Sequence, residues 1–186
     1  MFDHVINMRG ESRLSLFTGL PVIGSSEYAY GVSNRLTVGI LGGFTPFEEA
    51  IGLRVRTVLY QSKESFRVYY CTPIIFYPQT QKPDPDPWFI TRPNINFEWV
   101  KRSNFRYKIG GSIIASASAH DLWGNASESQ HSPGLWSAVH AGVSLPVGAN
   151  ISFQTELSYV TKGFQTIDTF FGGPPFILIT GISYTF

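Results

Sequence analysis

The 186-residue sequence predicts an all-β fold, an up-and-down antiparallel barrel of about ten strands that crosses a lipid bilayer. Three observations lead there. Apolar and polar residues alternate with a two-residue period along almost the whole chain, which is the periodicity of strands. Aromatic residues make up 15% of the chain and charged residues only 15%, against about 25% charged in ordinary soluble domains. The bulky apolar side chains share one face of each segment and the ionic ones the other, as in a barrel that turns its apolar face to lipid and its polar face to the lumen.

Strands are expected over residues 11–20, 26–33, 35–44, 50–61, 65–77, 91–101, 105–117, 135–146, 150–162 and 174–186. In the fourth, Ile51, Leu53, Val55, Thr57 and Leu59 oppose Arg54, Arg56 and Tyr60. In the fifth, Phe66, Val68, Tyr70, Thr72, Ile74 and Phe76 oppose Arg67, Tyr69, Cys71, Pro73 and Tyr77. The sixth sets Ile95, Phe97 and Trp99 against Asn94, Asn96 and Glu98, and the seventh sets Phe105, Tyr107, Ile109 and Ile113 against Arg106, Lys108 and Ser112. The eighth places Val139, Ala141, Val143 and Leu145 opposite His140 and Ser144. The ninth places Ile151, Phe153, Leu157 and Tyr159 opposite Ser152, Gln154, Glu156 and Ser158. In the last, "PFILITGISYTF", Phe176, Leu178, Thr180, Ile182, Tyr184 and Phe186 share one face.

Short connections follow the even-numbered strands and longer ones the odd-numbered strands, so short turns gather at one end and long loops at the other. Aromatics are expected in two girdles around an aliphatic band. Phe66, Trp99, Phe105, Tyr107, Phe153, Tyr184 and Phe186 form the one near the turns, and Tyr28, Tyr30, Phe76, Tyr159 and Phe176 the one near the loops. Strands of about ten residues are the length a tilted strand needs to cross a bilayer.

Composition excludes several other classes. The chain fits a single domain, residues 1–186. Its net charge of +1 and lack of a basic run argue against nucleic-acid binding. Cys71 is the sole cysteine, so neither an internal disulfide nor a zinc cluster is expected, and no metal or cofactor motif is read. No apolar run reaches the 18 residues of a membrane helix. The opening "MFDHVINMRGE" lacks the parts of a signal peptide, and the expectation for an exported barrel is a leader already removed.

The terminal "GISYTF" resembles the C-terminal targeting signal of bacterial outer-membrane β-barrels, and "YGVSNRLTVGI" is similar to barrel hairpins of the Bacteroidota kind. The resemblance implies an outer-membrane location, with outer-membrane lipid and lipopolysaccharide as surroundings. It also implies both termini in the periplasm, and Ile182, Tyr184 and Phe186 as positions recognised by the barrel-assembly machinery. An eight-stranded barrel is the alternative architecture.

The inner face then determines function. Arg13, Arg54, Arg56, Arg67, Arg106, Lys108 and Lys162 are assigned to it, with Glu11, Glu27, Glu98 and Glu156 as counter-charges. A ten-stranded barrel has little more room than side chains fill, so a salt-bridged plug is expected, with Arg54, Arg56 and Glu98 in one network; a narrow anion-preferring pore is the sharper alternative. The leading functional reading is a small porin-like or structural barrel, or an accessory subunit working with other envelope proteins. Two rivals stand beside it. An outer-membrane hydrolase, omptin-like or lipid A modifying, would use His120 and Asp121 of "AHDLW", with His131 nearby and Asp168 in the last loop, to activate a water. A soluble lipid-binding barrel would invert the faces.

Overall fold

The computed structural model describes residues 7–20, 24–44, 49–62, 65–78, 88–101, 105–118, 134–160 and 176–186. Eleven strand segments form one antiparallel sheet: β1 (Ser12–Leu20), β2 (Gly24–Ser33), β3 (Leu36–Phe44), β4 (Glu49–Ser62), β5 (Phe66–Tyr77), β6 (Trp88–Thr91), β7 (Asn94–Val100), β8 (Arg106–Ser118), β9 (Gly134–Pro146), β10 (Ile151–Val160) and β11 (Phe176–Thr185). Neighbours in sequence pair, except that β6 and β7 each pair with β5 and β8 instead of with one another, and β1 pairs with β11, so the sheet closes on itself. Segments β6 and β7 are two halves of a single wall strand. Thr91 and Asn94 hold the same register against β5 and against β8, so the eleven segments occupy ten positions around the barrel. The eight-stranded alternative is thereby set aside. Closure leaves no strand edge, which is what permits a sheet to cross lipid.

Two prolines mark the break between the halves. Arg92 N donates to Pro73 O at 3.4 Å and Ile113 N to Pro93 O at 3.1 Å. Neither proline has an N–H to return, so each removes one ladder bond. The wall continues in register across both.

Alternation sorts the faces by chemistry. Arg13 is 2% exposed, Glu27 1% and Arg56 0%, whereas Leu53 is 61% and Leu157 48% exposed. The barrel is inverted relative to a soluble one: its ionic side chains are inside and its aliphatic band outside.

Both ends of the described chain meet at the short-turn end. Ser12 N donates to Phe186 O at 3.0 Å and Phe186 N to Ser12 O at 2.9 Å. Residues before β1 fold against the same end: Gly10, at φ +84°, turns the chain so that its N–H reaches Gly31 O at 2.8 Å. Asn7 is buried there, its N–H on Thr37 Oγ1 at 3.0 Å and its Nδ2 on Ala29 O at 3.0 Å.

Two sequence expectations are corrected. Tyr28 and Tyr30 belong to the turn-end girdle and not to the loop-end one. Segment β2 runs toward the 33–36 turn, so its C-terminal half lies beside Ser12, and the Tyr28 ring is 6.4 Å from that of Phe186. Tyr60 does not share the arginine face. The β4–β5 register shifts between Val58 and Tyr60, and the extra residue turns both Leu59 and Tyr60 outward. The turn-end girdle is therefore denser than expected. It includes Tyr60–Phe66 (6.3 Å between centroids), Phe66–Trp99 (5.3 Å) and the stacked pair Trp99–Tyr107 (5.4 Å). At the loop end, Phe76 meets Phe89 at 4.8 Å and Tyr159 meets Phe176 at 5.2 Å.

Candidate functional site

The site is the lumen, and its side chains come from every strand position by the same two-residue alternation. Buried ions in a low-dielectric interior must be paired and hydrogen-bonded, and here they fall into two groups on opposite walls.

On one wall Glu27 of β2 accepts from two arginines of β4. Arg54 Nη1 lies 2.7 Å from Glu27 Oε2, and Arg56 Nη1 lies 2.7 Å from Oε1. Arg56 Nη2 also reaches Oε2, at 2.8 Å. The partners are two strands apart, with β3 between them. Gly39 is the residue of β3 that pairs with Arg54, and a Cβ there would fall 2.7 Å from Glu27 Oε1. Its missing side chain is the space through which the carboxylate crosses.

On the other wall the polar groups form a closed ring. Arg92 Nη2 meets His140 Nδ1 at 3.1 Å, and a guanidinium can only donate, so Nδ1 is the acceptor and the ring hydrogen sits on Nε2. Nε2 then donates to Asn96 Oδ1 at 2.7 Å. The Asn96 amide donates to Asn94 Oδ1, and Asn94 Nδ2 returns to Arg92 O at 2.9 Å. That last bond fills the acceptor that Pro73 leaves without an N–H. Arg92 also donates to Ser112 Oγ (3.0 Å) and Ser158 Oγ (3.2 Å), and lies 3.6 Å from Glu156. Lys108 Nζ reaches Glu156 Oε2 at 2.6 Å, across Gly142, which pairs with both residues. Gly110 likewise lies between Asn96 and His140, and a Cβ there would meet His140 Nε2 at 2.4 Å.

Of the charged positions expected inside, Arg13, Arg54, Arg56, Glu27, Glu98, Lys108 and Glu156 are buried, while Arg67, Arg106 and Glu11 are half-buried toward the turn end. Glu98 does not join Arg54 and Arg56. It sits in register between Arg67 and Lys108 on the other side of the lumen, and its Oε2 is buried without a hydrogen-bond partner among the described residues. Lys162, His120, Asp121, His131 and Asp168 lie outside the described residues. Arg92, central to the second wall, is a residue that sequence reasoning missed, although it continues the inward parity of Asn94, Asn96 and Glu98.

Beside these ions and on toward the long loops, the lumen also carries apolar side chains: Leu41 pairs in register with Glu27, and Ile179 with Glu156. Phe17, Leu41, Ile75, Ile114, Ala138, Val160 and Ile179 all point inward from the loop-end halves of their strands and are buried, with Ile177 packed against Phe17 and Ile179, and Ile90 and Ile177 against Ile114, Ala138 and Val160. The Phe17 ring lies over Gly181, where a Cβ would be 2.2 Å from Phe17 Cδ1. No His, Cys, Asp and Glu grouping suited to a metal occurs among the described residues.

No protein-family model matches the chain, and no curated protein does. Among solved structures, the chain is similar to the crystal structure of Ail, the attachment invasion locus protein of Yersinia pestis, at 12% identity and a TM-score of 0.28, over 96% of this chain and 100% of that one.

Proposed function

We propose that this chain is an integral barrel of a bacterial outer membrane with a closed lumen, working as a structural or accessory component of the envelope and not as an open porin. One observation carries the reading: lumenal ion pairs lie at 2.6–2.7 Å beside buried, inward-facing apolar side chains, while the outer face is aliphatic between aromatic girdles. An aqueous channel needs a wetted path, and an apolar constriction resists wetting. In this reading both termini face the periplasm, and the outward Ile182, Tyr184 and Phe186 of the seam strand serve as the assembly signal. The anion-preferring pore is the second reading, favoured by buried cations (Arg13, Arg54, Arg56, Arg92, Lys108) that outnumber buried acids (Glu27, Glu98, Glu156) among the described residues.

Two measurements on the full chain test this. Refolding into phosphatidylcholine vesicles is expected to give heat-modifiable gel migration, and a species that stays soluble and folded without lipid or detergent would sink the membrane reading. In planar bilayers the inserted protein is expected to be electrically silent. Steady unitary conductance would replace the closed reading by the pore.

A further inference from the structure

We infer that the turn end of the barrel binds anionic phospholipid headgroups in the adjoining leaflet. The inference rests on the membrane reading and adds a lipid preference to it. Arg9, Arg35 and Lys101 are exposed on this rim. Arg9 N donates to Asn34 Oδ1 at 3.1 Å, which gathers Arg9 and Arg35 at the β2–β3 turn, beside the strand end carrying Tyr28 and Tyr30. Elsewhere on the rim, Lys101 Nζ stands 5.8 Å from the centroid of the Tyr107 ring, within the Phe66, Trp99, Tyr107 and Phe105 cluster.

The sign of the charge is specific to this end. The sequences of the short turns add Lys63 and Arg102 against Glu64. The rim acid among the described residues, Glu11, is engaged by Met8 N at 2.7 Å. In sequence the long connections have the opposite sign, with Glu48, Asp84, Asp86, Asp121, Glu128 and Asp168 against Lys82 and Lys162. Aromatic girdles settle at headgroup depth, so cations set directly on one are held at the height of lipid phosphates. A phosphodiester is the anion available in that plane, and a basic side chain near an anionic surface attracts it. An acidic soluble protein would suit the charge but not the depth.

The test uses the full chain in nanodiscs of phosphatidylcholine mixed with phosphatidylglycerol, counting retained lipids by native mass spectrometry. Phosphatidylglycerol is expected to be enriched roughly fivefold for each basic residue engaged, and the enrichment to shrink as salt rises. In the triple variant Arg9→Gln/Arg35→Gln/Lys101→Gln, shown to be folded by its gel shift, the enrichment should fall toward its absence. Equal retention of the two lipids by the wild type overturns the inference, and so does an enrichment that the triple variant keeps. Enrichment replaced by capture of an added acidic protein also overturns it. A chain that enters neither bilayer overturns the membrane reading instead.

Discussion

The residues with most influence on the lumen are those that let a polar bond cross an intervening strand. Ion partners on adjacent strands are visible to pattern reasoning, but Glu27 with Arg54 and Lys108 with Glu156 are two strands apart. Nothing in the alternation announces such pairs; they depend on Gly142 falling in register between Lys108 and Glu156, and on Gly39, the register partner of Arg54, leaving room for the Glu27 carboxylate. Gly110→Ala tests the device, because the added methyl would meet His140 Nε2 at 2.4 Å and Ile95 O at 2.6 Å. The expected loss is ~1–3 kcal/mol of stability, read as a lower urea midpoint for the lipid-inserted barrel. Unchanged stability would mean the ring has room to shift. Glu27→Ala should cost more, about 3–5 kcal/mol, since it removes the carboxylate that two buried guanidinium groups share. The triple change Glu27→Leu/Arg54→Met/Arg56→Leu should recover much of that loss, because a buried ion network and an apolar one of similar volume differ little. A triple variant as unstable as Glu27→Ala alone would contradict this account.

At the scale of the element, strand positions and faces were legible because a membrane barrel has one rule, apolar out, applied strand after strand. Where reading failed, a local departure from that rule was responsible. Leu59 is an extra residue at a bulge, and a two-residue period cannot anticipate it, so Tyr60 was assigned to the wrong face. Tyr28 and Tyr30 had the correct face but the wrong depth, which depends on strand direction. The strand expected over 91–101 runs through Pro93 but starts too late to include Trp88–Ile90, and Arg92 was not placed on the inner face, although Ile90, Arg92 and Asn94 keep one parity. The same prolines yield a prediction. With two ladder bonds missing around Pro73 and Pro93, amides of residues 90–92 and 112–114 should exchange faster than those of the β10–β11 pairing, which is unbroken from Ile151 to Tyr159. Asn94→Ala, which also removes the bond to Arg92 O, should speed exchange there further. Uniform protection around the wall would show that the prolines leave no weak point.

For the whole molecule, the combination of ionic and apolar contacts in the lumen matters more than any one ion pair. Buried ions share rungs with part of the apolar set, Glu27 with Leu41 and Glu156 with Ile179, while Arg67 and Arg106 lie toward the turns and Ile75 and Val160 toward the loops. Barriers in series fail only when all of them fail. Loosening the polar level, as in Arg54→Ala/Arg56→Ala, leaves the apolar level dry and should yield a silent protein in planar bilayers. Phe17→Ser/Ile179→Ser admits water to the apolar set but leaves Lys108, Glu156 and Arg92 bridged, and should be nearly silent as well. Only the combined variant is expected to conduct, and its residual lumenal charge should then favour anions. Folding of each variant is checked by its heat-modifiable gel shift, so that silence is not mistaken for loss of the barrel. Conductance from the arginine variant alone would place the barrier in the polar level and deny the apolar layer any sealing role. Silence from the combined variant would mean that further side chains block the path.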